Sequence, residues 1–331
     1  MNDGSIDVVG LGNAIVDVVA ETPDVLIERL DLAKGTMTLI DEARTTELYG
    51  AMGQAVEVSG GSCANTMAAL AGLGGAASYI GKVQNDQLGE VFRHDINAVG
   101  VNFESRPLEG GPSTARCLVF VTPDAQRTMA TYLGACVELG TDDIDEDTVA
   151  KGQITYLEGY LWDRPEAKEA CLKASKIARD AGRKVALSLS DPFCVDRWRS
   201  EFVPLINDHI DIVIANEDEI MSLYQTPSFE DAVHEVKKHC ELAALTRGAK
   251  GSVVVTPETS FAIEAAPVAQ VIDTTGAGDL YAAGFLFGLT HDMSLASSGR
   301  LGSLLAAEVI GQYGARIKRS LLPMIEAAKA A

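Results

Sequence analysis

The sequence predicts an α/β protein: a mostly parallel sheet covered by helices on both faces, with a smaller β-sheet standing off one edge. Three observations carry this. Short β-branched apolar runs alternate with amphipathic helical segments, the pattern of parallel strands buried on both faces. Two strand-rich stretches break that alternation, with no helical segment read between their strands. The 331-residue chain is 47% hydrophobic and 22% charged, which supplies a substantial core for one large domain or two smaller ones.

Taken in order, Ile6–Leu11 reads as a strand and Ser62–Leu73 as a helix. Ala76–Ile80 follows as a strand and Leu88–Val99 as a helix. Ile154–Leu157 is a strand, Pro165–Ala181 a helix, and Val185–Leu189 and Ile210–Ala215 are strands. Ala243–Thr246 and Ser252–Thr256 read as a pair of strands. The two exceptions are Val16–Glu21 with Thr36–Asp41, and Thr114–Thr122 with Arg127–Leu133, both in hairpin-like contexts. Pro123-Asp124-Ala125-Gln126 is the expected turn of the second pair. The expected organisation is therefore a core of residues 1–13, 46–109 and 135–331, with a small sheet formed by insertions 14–45 and 110–134.

Charge and cysteine usage exclude several classes. With 27 Lys and Arg against 47 Asp and Glu, the net charge is −20. Such a field argues against nucleic acid or an anionic membrane as a main partner, though local amides and a metal can still hold a small anion. MNDGSIDVVG lacks a basic leader segment, and the longest helical apolar run, Leu280–Leu289, is interrupted by Gly284 and Gly288. The six cysteines form no CxxC pair, which argues against a disulfide framework or a zinc site. The expectation is a cytoplasmic protein, monomer or homodimer.

Two phosphate-binding patterns fail on inspection. Gly10-Leu11-Gly12 has Ile15 where a dinucleotide fingerprint needs its third glycine, and IVDVVAE then favours strand over helix. Gly75 to Lys82 has one residue too many for a P-loop, and Val83 stands where Ser or Thr would hold magnesium.

The string Val271-Ile272-Asp273-Thr274-Thr275-Gly276-Ala277-Gly278-Asp279 carries chemistry. An apolar strand is expected to end at Asp273, with a tight glycine turn and a helix from about Ala277. The free N–H groups of that helix, flanked by Gly276, Ala277 and Gly278, can close around a phosphate. Asp279 then lies at the mouth of the anion pocket, placed to take a proton from an attacking hydroxyl.

This string, together with Ser59-Gly60-Gly61-Ser62-Cys63-Ala64-Asn65-Thr66 and its continuation LAGLGGAASYIGKVQNDQLGE, resembles the two signatures of the ribokinase-like (PfkB-type) carbohydrate and nucleoside kinases. The resemblance covers essentially the whole chain. It implies a three-layer α/β/α core, a small β-sheet lid and ATP-dependent phosphoryl transfer, with Asp279 as base and the 276–278 amides as anion hole. Gly60 and Gly61 let a sugar approach the backbone, Asn65 can bond a ribose hydroxyl, and Asp17, with Asn13 before it, can accept from both hydroxyls of a vicinal diol.

The resemblance also implies a nucleotide side. Asn216 and Glu219 match an N-x-x-E pattern, in which Glu219 orients the water shell of Mg²⁺ and Asn216 lies near the phosphates. Thr246-Arg247-Gly248-Ala249-Lys250-Gly251 looks like the ATP loop, and Arg127 resembles a lid arginine that reaches the phosphates. Ser303 stands where related kinases often carry Asn or His near ATP, a departure. Asp273 and Thr275 match a monovalent-cation site, but Lys318 replaces the usual small polar residue, so a K⁺ requirement stays open.

Within the family the chain most resembles adenosine kinases, through GNAIVDV, GGSCANT and Tyr160 in EGYLWD. Tyr160 falls where they place a ring on adenine, and Met37 and Leu39 could supply the other apolar face. A ribose- or fructose-type sugar kinase is the alternative. A binding protein that kept the fold and lost the chemistry is a third reading, against which the intact Asp279 and glycine loop argue.

Overall fold

The computed structural model describes residues 5–124 and 126–330. Strand β1 (Ile6–Leu11) passes almost directly into β2 (Ile15–Glu21), followed by β3 (Met37–Leu39) and β4 (Ala55–Gly60). Next come β5 (Ala77–Ile80), β6 (Val101–Asn102), β7 (Ala115–Val121) and β8 (Arg127–Tyr132). The remainder of the chain supplies β9 (Gly152–Glu158), β10 (Lys184–Ser188), β11 (Ile212–Asn216), β12 (Leu242–Thr246), β13 (Ser252–Val255) and β14 (Ser260–Ile263).

Nine strands form one sheet in the order β14-β13-β12-β11-β10-β9-β1-β5-β6. It is parallel from β6 to β12, and the β12–β13 and β13–β14 pairs are antiparallel. Each face carries its own hydrophobic cluster, as expected where β-branched strands are covered on both sides. Helices Ser62–Gly72 and Ala277–Thr290 lie in one cluster and helix Pro165–Asp180 in the other. The first two are built from small or apolar residues nearly all round, and are correspondingly buried. Gly284 permits the close packing of Ala277–Thr290 on helix Leu295–Val309, because a Cβ there would lie 2.6 Å from the Gly302 nitrogen.

The second sheet has five strands, in the order β3-β8-β7-β2-β4. Three expectations are corrected here. A helix, Asp24–Arg29, separates β2 from β3, and the two do not pair. Instead β2 lies between β4 (antiparallel) and β7 (parallel), and β3 pairs with β8. The strand β4 also belongs to this sheet, although residues 46–109 were assigned to the core; its short AVEVSG run gives no signal beyond alternation, and the open edge of β2 recruits it. Finally, Val271–Asp273 forms no strand. Its backbone is tied instead to the end of helix Leu295–Val309, with Ile272 N donating to Ile310 O at 2.7 Å. The β7–β8 hairpin is as expected. Ala125 of its turn lies outside the described residues, while Thr122 N donates to Gln126 O at 2.9 Å across it. Among the described residues no helix is long and apolar enough to cross a membrane.

Candidate active site

Asp279 stands in the first turn of helix Ala277–Thr290, whose N-cap, Gly276, has φ +79°. Only glycine suits that turn, since a Cβ would also meet Ala315 Cβ at 2.6 Å. At Gly278 a Cβ would meet nothing within 4 Å, so the helix N-terminus faces open space, as an anion-binding end requires. Oδ1 of Asp279 accepts from Ser62 Oγ at 2.6 Å and Oδ2 accepts from Asn65 Nδ2 at 3.0 Å. Burial raises its pKa, opposed by those two bonds and by the charge of Arg316.

The residues expected to read a diol converge at the junctions between the two sheets. Gly61 has φ +96°, and a Cβ there would overlap the Asn13 carbonyl. A Cβ at Gly60 would lie 2.6 Å from the Asp17 carboxyl carbon, so the bare backbone gives that carboxylate its space. Burial pushes the Asp17 pKa up to about 6 against the attraction of Arg127 and Arg316. Asn13 Nδ2 donates to Glu158 Oε1 at 2.9 Å, and Cys63 N donates to Glu158 Oε2 at 2.9 Å. Glu158 is buried at the end of β9, and burial pushes it up to about 7 despite these donors.

Met37 and Leu39 are exposed. Their register opposite Met129 and Thr131, and that of Thr131 opposite Cys117 and of Cys117 opposite Asp17, puts them on the sheet face that carries Asp17. Tyr160 is half-buried at the end of β9, packed against the second hydrophobic cluster, with its hydroxyl 3.5 Å from Ser190 O and Asp191 beside it.

On the nucleotide side a cavity of about 670 Å³ is lined by Thr246, Gly248, Gly251, Ala277, Gly278 and Ser303, with apolar walls from Pro267, Val268, Val271 and Ile310. The Thr246–Gly251 turn is closed by Arg247 N donating to Gly251 O at 2.7 Å. The Arg247 side chain does not join the lining. It bonds Glu217 at 2.8 Å and lies over the Phe229 ring at 4.0 Å. Ser303 Oγ accepts from Ala266 N at 2.9 Å and donates to Glu264 O at 3.2 Å.

Asn216 and Glu219 form a reciprocal helix cap: Asn216 Oδ1 accepts from Glu219 N at 2.8 Å, and Glu219 Oε2 accepts from Asn216 N at 2.9 Å. Asn216 Nδ2 donates to the other carboxylate oxygen at 2.5 Å. Burial pushes Glu219 up to about 7. Both oxygens already accept N–H donors, an arrangement that fits bonding to metal-held water and not direct ligation. Among the described residues no group of three or more His, Cys, Asp or Glu is poised to hold a metal.

Arg127 reaches from the small sheet to Asp273, with Nη1 2.7 Å from Oδ2. Gly314 N donates to the same oxygen at 2.9 Å and Thr275 N to Oδ1 at 2.9 Å. Burial works to raise the Asp273 pKa, but these donors and Arg127 hold it below the usual carboxylate range.

Three residues of this network escaped the sequence reading. Ser62 lay unremarked inside a quoted signature. Glu158 closes an apolar strand, a position that does attract functional carboxylates. Arg316 sits 252 positions from its partner Ala64 and carries no local signal.

Asp279 at a helix N-terminus beside a cavity of about 670 Å³ fits a phosphotransferase with an alcohol acceptor, and comparison with known proteins bears out that class. Residues 30–321 match the pfkB family carbohydrate kinases, and the chain belongs to that family. The crystal structure of an adenosine kinase from Sinorhizobium meliloti is 51% identical, covers 99% of this chain and 100% of that one, and superposes with a TM-score of 0.90. A probable sugar kinase from Rhizobium etli CFN 42 is 47% identical, with 98% of each chain covered and a TM-score of 0.90. The probable chloroplastic fructokinase-6 of Arabidopsis thaliana is 30% identical over 246 residues, 71% of this chain and 63% of its own length. Family membership implies ATP as the phosphoryl donor.

Proposed function

We propose that the protein transfers the γ-phosphoryl group of ATP to the 5′-hydroxyl of a ribonucleoside, with adenosine as the preferred acceptor. One observation carries this reading: Asp279, held by Ser62 and Asn65, lies near Asp17, whose carboxyl is under Gly60, with Gly61 against the Asn13 carbonyl. Asp17 and Asn13 fit the 2′,3′-diol, and the backbone at Gly60–Gly61 admits the sugar. The Asp279 carboxylate takes the proton of the attacking hydroxyl, and its raised pKa suits that transfer. The N–H groups at 276–278 face the phosphoryl group as negative charge shifts toward the leaving oxygen. Mg²⁺, when bound, supplies charge neutralisation of the phosphates, with Glu219 orienting its water shell and Asn216 near the phosphates. Arg127 screens the same region from the lid side, and Asp273 with Thr275 is the place for a K⁺ ion if one is used.

Met37 and Leu39 supply apolar surface for a base, which a bare sugar does not need. The 51% identity to an adenosine kinase favours the nucleoside, while the 47% identity to a probable sugar kinase keeps a sugar acceptor as the second reading. A panel of nucleosides and sugars with ATP, read by ADP release, separates them. Adenosine is expected to give the highest kcat/KM. A 2′-deoxy analogue, which leaves an Asp17 lone pair unpaired, is expected to lose roughly 1–3 kcal/mol, or several-fold to about a hundredfold. Higher kcat/KM for ribose or fructose would overturn the nucleoside assignment.

A further inference from the structure

We propose that Arg316 is a positioning residue of the acceptor pocket: its guanidinium locks the 59–65 turn onto the 312–318 loop and places one buried positive charge between Asp17 and Asp279. Its hydrogen bonds give the first part. Nη1 donates to Ala64 O at 3.1 Å, and Nη2 donates to Ser59 O at 2.7 Å and Ser59 Oγ at 3.1 Å. Ser59 N and Oγ donate in turn to Asp95 Oδ2, at 2.8 and 2.6 Å. One planar fork therefore grips the chain on both sides of Gly60 and Gly61, the two residues with no side chain to hold them. An ammonium group could not fix two carbonyls in this way.

The second part is electrostatic. Arg316 is faced by Asp95 from helix Gln87–Ala98, Asp17 from β2, Asp279 from helix Ala277–Thr290 and the Tyr79 hydroxyl from β5. Asp17 is also faced by Arg127 and Cys117, and Asp279 by Ser62, Asn65, Cys63 and Glu158. Of the two arginines, Arg127 is paired with Asp273, and Arg316 is the one whose charge acts on both Asp17 and Asp279. Burying a guanidinium is costly, and here its Nε has no hydrogen-bond partner among the described residues. A residue serving only to fill space would avoid that cost; three surrounding carboxylates account for it.

The proposal rests on Asp17 and Asp279 being the diol reader and the base, so the test includes a measurement without chemistry. Arg316→Met and Arg316→Lys are compared with wild type for melting temperature, adenosine binding by calorimetry, and kcat/KM against pH. Arg316→Met is expected to bind adenosine about tenfold or more weakly, to leave the ATP KM within about twofold, and to move the acid limb of kcat/KM up by about one pH unit or more. Arg316→Lys restores the limb through its charge but not the affinity, because the fork is gone. Wild-type affinity and an unmoved acid limb in Arg316→Met would overturn the proposal. If that variant fails to fold, Arg316→Lys decides, and wild-type adenosine affinity in it sinks the role of the fork. Asp279→Asn that keeps adenosine binding but also keeps turnover would instead remove the base assignment and leave Arg316 standing.

Discussion

Around the helix start at Ser62, Asp17, Asp279, Glu158 and Asp95 gather near Arg316, and Asp279 and Glu158 have donors on both carboxylate oxygens. At the nucleotide end, a cavity of about 670 Å³ is walled by alanine, glycine, proline and valine around backbone. In the proposed reaction this difference divides the work of recognition between the two regions. Recognition by buried carboxylates depends on their ionisation and on sub-ångström placement. Recognition by an apolar slot depends on shape and is nearly indifferent to pH.

The largest effect that would sharpen this contrast is at Asp279. Replacing it with asparagine keeps both hydrogen-bonding positions filled but removes the base, and kcat is expected to fall ~10²–10⁴-fold with the melting temperature close to wild type. Retention of more than about a tenth of wild-type kcat would take Asp279 out of the role.

A pH series tests the same contrast without mutation. In the proposed reaction Asp17, pushed up to about 6 by burial, accepts from the diol only when ionised. As the pH falls through about 6 it gains a proton, and kcat/KM for the acceptor is expected to drop by up to about tenfold per unit below that point, with the ATP KM flat. A limb near pH 4, the ordinary carboxylate range, would show that burial does not govern Asp17. The smallest effect is on the other side. Ala306 lines the nucleotide cavity, and Ala306→Leu is expected to raise the ATP KM by about three- to tenfold through overpacking, leaving the acceptor KM and the acid limb in place. A shift of the acid limb in that variant would break the division between the two ends.

How much of this was legible in the sequence follows the same line. The parallel core was readable because each of its strands is a short β-branched run that must be buried on both faces. The helix start at Ala277 was readable because the glycines at 276 and 278 mark a tight turn, and Gly276 has the positive φ such a turn needs. The lid sheet was only half readable. Nothing local distinguishes β4 from a core strand, and a three-residue β3 cannot declare whether its partner is β2 or β8. Arg316 was not readable at all, since its role exists only once Ser59, Ala64, Asp17 and Asp279 have been folded around it.

The small sheet joins the core at two places that touch each other. Asn13 and Ala14 link β1 to β2, and Gly61 links β4 to the helix that begins at Ser62, with Ile15 paired to Gly60 across the gap. In the proposed reaction the acceptor is read by residues at this junction, so a sugar seated on Gly60–Gly61 would rest where the small sheet joins the core and not under its far edge. The strand β2 runs seven residues from that junction, a lever arm of about 20 Å at roughly 3.3 Å per residue. In that reading a small rotation at the junction would be magnified along the arm, so a seated acceptor would move the far edge of the small sheet with no relay of side chains between them.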